Sequence, residues 1–141
     1  MLPDCEISAV EINKKATQIL HSKGFKVYNQ SILDFNVDYK RDFVFIKTVL
    51  IHINPEELQN VYQKLYDASS QYIMIAEYYN PTPVEVLYRG HSSKLFKRDF
   101  AGEMLDKFSN LKLVDYGFTY HRDNYYCNDD LNWFLLEKLD D

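Results

Sequence analysis

The ten residues Asp42-Phe43-Val44-Phe45-Ile46-Lys47-Thr48-Val49-Leu50-Ile51 are nearly continuous in apolar and β-branched side chains. Such a run reads as a strand covered on both faces, the pattern of a central strand in a parallel sheet flanked by helices. A helix start follows at once: Asn54 suits the N-cap, Pro55 the first helical position, and Glu57 the third position of a capping box. Leu58, Val61, Tyr62, Leu65 and Tyr66 then recur at helical spacing and form the expected buried stripe.

The same alternation extends in both directions. Glu6 to Glu11 reads as a strand, and Ile12, Ala16, Ile19 and Leu20 mark a helix over roughly Asn13 to Lys23, closed by Gly24 at the C-cap position. Phe25 to Tyr28 is a short strand, and Tyr72 to Glu77 another. The latter runs into Tyr78-Tyr79-Asn80-Pro81-Thr82-Pro83, where two prolines forbid helix and ladder alike. After a polar stretch, Asp99 caps a helix whose apolar positions are Phe100, Ala101, Met104, Leu105 and Phe108. Leu111 to Tyr120 and Leu131 to Glu137, separated by a polar segment, fit an antiparallel pair that closes the sheet. The expectation is one α/β domain over residues 1–141.

Charge and cysteine content narrow the function classes. A net charge of −5 disfavours a nucleic-acid partner, which selects for a basic face. Cys5 and Cys127 are too few and too far apart for a disulfide framework or a metal knuckle, and the histidines show no zinc-ligand spacing, so no metal is expected. No apolar run reaches the roughly 20 residues that span a bilayer. The expectation is a soluble, cytoplasmic protein without a membrane partner.

Glu11 carries the first functional signal. An acidic side chain at the tip of a strand in a nucleotide-binding α/β fold accepts hydrogen bonds from ribose hydroxyls. The alternative for Glu11 is a solvated carboxylate favoured by the dipole of the following helix. With glycines only at 24, 90, 102 and 117, no G-x-G-x-x-G turn can be written.

Glu11, the Val49-Leu50-Ile51-His52-Ile53-Asn54-Pro55-Glu56 segment and the terminal hairpin together resemble a class I S-adenosylmethionine-dependent methyltransferase. The segments Glu77 to Val86, Tyr88-Arg89-Gly90, Leu95 to Phe100 and Tyr120 to Asn124 resemble, more narrowly, the methylases associated with pseudaminic acid biosynthesis. The resemblance implies a Rossmann-like sheet, mostly parallel with a C-terminal antiparallel hairpin, and a small sugar-related or amine substrate. It also implies that the first strand and Gly-rich turn of such enzymes are lacking here. The two strands that flank the missing one would then expose unpaired backbone groups, each costing on the order of 1–3 kcal/mol if buried. The chain is accordingly expected to be a fragment, a truncated reading frame, or a protein whose edges are re-paired by a second copy or a partner subunit.

The resemblance distributes roles along the chain. Glu11 faces the ribose, Ser31 and Ile32 the adenine, and Lys47, Thr48 and Val49 the cofactor through their backbone. His52 and Tyr79 are the catalytic candidates, His52 because its pKa lies near the working pH. The alternative for His52 is a structural histidine in the turn before the Asn54 cap. Glu77, Asn80, Arg89, His91, Lys97 and Arg98 are the substrate-side candidates, the cations suiting a carboxylate or phosphate. Their alternative is a solvated polar surface. Two other function classes compete: a catalytically silent module that pairs through open strand edges, and a nicotinamide dehydrogenase, which the closing hairpin and missing pyrophosphate loop disfavour.

Overall fold

A computed structural model of the chain describes residues 4–88 and 91–139, and side chains throughout these except at 88 and 91–94. The chain divides into two compact units, residues 1–37 and 38–141.

In the first unit, β1 (Ser8–Val10) and β2 (Lys26–Tyr28) pair in parallel, with Ser8 opposite Lys26 and Val10 opposite Tyr28. The helix α1 (Lys14–Ser22) joins them. Its start is set by Asn13, whose side chain accepts the N–H groups of Lys15 and Ala16. Its end is set by Gly24 at φ +84°, where the glycine N–H reaches the His21 carbonyl. Thr17 is buried and receives a hydrogen bond from the Asn29 amide, which also donates to the Glu11 carbonyl.

The second unit holds a four-stranded sheet in the order β3-β4-β8-β7, formed by Arg41–Lys47, Ser69–Glu77, Leu131–Lys138 and Leu111–Thr119. The helices α2 (Leu58–Ala68) and α3 (Phe100–Lys107) pack against it. Asn54 accepts the Glu56 N–H, and a 3-10 turn over Pro55–Glu57 leads into α2, whose Leu58, Val61, Tyr62 and Leu65 are buried. The Asp99 carboxylate accepts the Gly102 N–H and caps α3. Cross-strand register puts Ile46, Ile73, Ile75 and Leu136 on one sheet face, all buried. Phe43, Phe45, Met74, Trp133 and Leu135 share the opposite face, where Phe43 and Phe45 remain 51% and 53% exposed.

Four expectations change. The run at 42–51 is not one long strand covered on both faces: β3 ends at Lys47, Thr48 turns left-handed, and Leu50–His52 form a 3-10 turn. Within its unit β3 is also an edge strand rather than a central one. The sheet expected to be mostly parallel is, in the second unit, mixed, with β3–β4 parallel but β4–β8 and β7–β8 antiparallel, because the closing hairpin inserts β8 between β4 and β7; β1–β2 is a parallel pair of the first unit. The polar stretch after Pro83 forms a separate antiparallel pair, β5 (Val84–Tyr88) and β6 (His91–Lys97), which packs against the Leu50–His52 turn.

Gly117 on β7 lies opposite Trp133 on β8, and a Cβ built there would stand 2.6 Å from the indole ring. The ring fills the space a side chain would take. Gly117→Ala is expected to displace Trp133 and cost about 1–3 kcal/mol, the range for overpacking, measured by denaturant unfolding.

Candidate functional site

Open α/β sheets bind ligands beyond the C-terminal ends of their parallel strands, and each unit has such ends of its own, β1–β2 in the first and β3–β4 in the second. Glu11 follows β1 directly, with its N–H bonded to the Tyr28 carbonyl. Its Oε1 accepts the Asn13 N–H at 2.6 Å, which fixes the carboxylate at the strand tip. An ionised carboxylate is acceptor-only and therefore suits a vicinal diol, which offers two donors. Ser31 and Ile32 follow β2 in a half-buried turn, where the Ser31 hydroxyl accepts the Leu33 N–H.

In the second unit, Lys47 ends β3 opposite Ala76, and its Nζ donates to Asn128 Oδ1 at 2.9 Å. That contact ties the strand end to the loop between β7 and β8. Thr48 holds φ at +52° while its N–H reaches the Ala76 carbonyl, so the chain leaves the sheet abruptly. A β-branched residue in this region is a true backbone outlier, and such outliers concentrate where ligands bind. Val49 is part-exposed and His52 exposed in the turn that follows.

Glu77, at the end of β4, is 2% exposed. Its Oε1 accepts the N–H groups of Val49 and Leu50, both at 2.9 Å, and its Oε2 is buried without a hydrogen-bond partner. Burial pushes the carboxyl up to about 7, against the N–H groups of Leu50, Val49 and Ile51, which favour the charged form. The carboxylate is thus a clamp on the turn that begins at Thr48.

Beyond Glu77, Tyr79 is 38% exposed, with its ring 5.8 Å from that of Phe134. Asn80 turns inward on its own loop, donating to the Thr82 carbonyl at 2.6 Å. Lys97 places its ammonium 5.2 Å from the Tyr78 ring centre. Arg98 engages Glu103 at 2.6 Å, and the other Glu103 oxygen accepts the buried Tyr62 hydroxyl at 2.7 Å. Arg89 and the His91 side chain lie outside the described residues.

The second unit therefore brings Lys47, Thr48, Val49, His52, Glu77, Tyr79 and Asn80 to one end of its sheet. Asn128 and the loop pair His121–Asp130, with Nδ1 2.9 Å from the carboxylate, stand at that end too. Sequence spacing carries no signal for Asn128, since its partner Lys47 is 81 residues away. Among the described residues no group of three or more His, Cys, Asp or Glu is placed to hold a metal ion, and no helix is long and apolar enough to cross a membrane.

No protein-family model and no curated protein matches the chain. Solved structures do. The chain is similar to the 1,6-didemethyltoxoflavin-N1-methyltransferase of Burkholderia thailandensis, solved with 1,6-didemethyltoxoflavin and S-adenosylhomocysteine, at 12% identity and a TM-score of 0.70. The match covers 96% of this chain and 62% of that one. The N-methyltransferase NodS from Bradyrhizobium japonicum WM9, in complex with S-adenosylhomocysteine, matches at 9% identity and a TM-score of 0.71, covering 96% and 67%. Magnesium protoporphyrin IX methyltransferase from Synechocystis PCC 6803, with bound S-adenosylmethionine, matches at 14% and 0.65, covering 96% and 60%. At such identities the likeness is one of fold: an α/β chain with the Rossmann-like architecture of S-adenosylmethionine-dependent methyltransferases, spanning 62% of the first of them.

Proposed function

We propose that this chain is a methyltransferase that takes S-adenosylmethionine as donor and a small molecule as acceptor. The observation that carries the reading is the Glu11 carboxylate, oriented at the C-terminal tip of β1 in a fold shared with proteins crystallised with that cofactor or its product. Glu11 accepts the ribose hydroxyls, Ser31 and Ile32 line the adenine, and Lys47, Thr48 and Val49 offer backbone groups. When bound, the cofactor supplies an electrophilic methyl group on a sulfonium. Methyl transfer then needs chiefly in-line alignment of the acceptor, and His52 and Tyr79 are the residues we assign to orient it or take its proton. Asn80, Arg89 and Lys97 form the acceptor side. Arg98 shapes that side through its ion pair with Glu103.

The motif resemblance at Glu77–Val86 and Leu95–Phe100 supports a sugar-related acceptor in pseudaminic acid biosynthesis. Two of the structural neighbours are N-methyltransferases, which supports a nitrogen acceptor. The exposed free thiols of Cys5 and Cys127 support a reducing, cytoplasmic setting.

Calorimetry with S-adenosylhomocysteine tests the reading. Binding is expected, and Glu11→Ala should weaken it at least about tenfold, the worth of ~1.4 kcal/mol. A second reading, a silent module completed by another copy or a partner subunit, is favoured by one observation: among the described residues of its unit β3 pairs only with β4 and leaves Phe43 and Phe45 half-exposed. No binding heat up to millimolar nucleoside, together with a dimer in sedimentation, selects that reading.

A further inference from the structure

The turn after β3 combines two local costs that packing alone does not call for. Thr48 is held left-handed at φ +52°, where glycine would sit without strain. Glu77 buries a carboxyl group of which one oxygen has no partner. An apolar residue at 77 would spare the desolvation of that oxygen.

Both costs serve one geometric result. Oε1 of Glu77 reaches across from β4 and takes the N–H groups of Val49 and Leu50 at 2.9 Å each. These two donors open a 3-10 turn and have no helical acceptor of their own. The chain is thereby bent out of the sheet at the C-terminal end of the parallel pair. The clamp itself is covered, while Val49 remains 39% exposed on the outer side of the turn. Arg98 pairs with Glu103, and Lys97 lies over the Tyr78 ring. The groups that hold the Glu77 carboxyl are backbone N–H groups.

We propose that Glu77 is a positioning residue: its carboxyl group holds the Thr48–Leu50 turn in the shape that presents the backbone at the end of β3 to the methyl donor, and it acts through that turn without touching donor or acceptor. This inference rests on the methyl-donor reading above. It differs from the substrate contact that the residue type suggests in the sequence.

Glu77→Gln keeps an oxygen of the same reach for the two N–H groups, whereas Glu77→Leu removes it. Glu77→Asp keeps the charge and retreats by one methylene, which provides a second truncation should the leucine variant fail to fold. For the full chain, the affinity for S-adenosylhomocysteine is expected to fall at least about tenfold in Glu77→Leu and Glu77→Asp and to stay within about threefold in Glu77→Gln. Amide exchange at Val49 and Leu50 should accelerate in the first two variants only. Leu136→Ala, buried on β8 away from the turn, controls for general destabilisation and should leave the affinity unchanged.

Unchanged affinity in the two truncated variants overturns the inference. So does an equal loss in Glu77→Gln, which identifies the charge itself as a ligand contact. Absence of binding by the unmodified chain overturns the methyl-donor reading and this inference with it, a failure seen before any Glu77 variant is compared.

Discussion

The unfolding free energy of this chain is expected to drop by about 3 kcal/mol as pH rises from 4.5 to about 7, and Glu77→Gln is expected to remove most of that slope. The direction follows from where the protons sit. Burial raises the folded-state pKa of Glu77 above its usual 4.5, so between the two values the folded chain binds a proton that the unfolded chain has released. Rising pH then favours the unfolded state. The contribution is fully present below 4.5 and lost as pH passes about 7. Asp123 and Asp130 act in the opposite sense, because backbone N–H groups hold both carboxyls below the usual range. Both are solvent-exposed, so their influence is small. Urea melts at several pH values, on the wild-type chain and on the Glu77→Gln variant, give the measurement. A wild-type slope of zero or of opposite sign removes the buried-carboxyl account.

Glu103→Ala is expected to cost about 2–4 kcal/mol, more than an exposed helix substitution accounts for. Its two oxygens hold Arg98 at 2.6 Å and the Tyr62 hydroxyl at 2.7 Å. Tyr62 is fully buried on α2, and its phenol is pushed up in pKa by burial first and by Glu103 second, so it stays a neutral donor. Removing the carboxylate leaves a buried donor and a part-buried guanidinium without their acceptor. Tyr62→Phe removes only the hydroxyl and should cost about 1 kcal/mol. If Glu103→Ala falls below Tyr62→Phe in cost, the pairing contributes nothing net.

Local chemistry explains what the sequence discloses. Asn13, Asn54 and Asp99 each satisfy N–H groups two or three residues away, so the helix starts are written in adjacent residues. The closing hairpin is equally local. The turn at Thr48–His52 is not, because Val49, Leu50 and Ile51 have the same apolar character whether they extend a strand or leave it. What bends the chain there is Glu77, 27 and 28 residues further on. The β5–β6 pair escapes notice for a different reason: His91–Lys97 carries no β-branched residue, and Val84–Tyr88 follows directly on Pro81 and Pro83, whose loop signal covers its short strand pattern. Arg98 reads as a surface cation until its partner is known.

Trp133 is the chain's single tryptophan, and it lies across Gly117 between β8 and β7. Its fluorescence is therefore an intrinsic reporter of the four-stranded sheet, while circular dichroism averages over both units. Coincident thermal transitions in the two signals would identify a single cooperative block, and separated ones would reveal a stepwise melt.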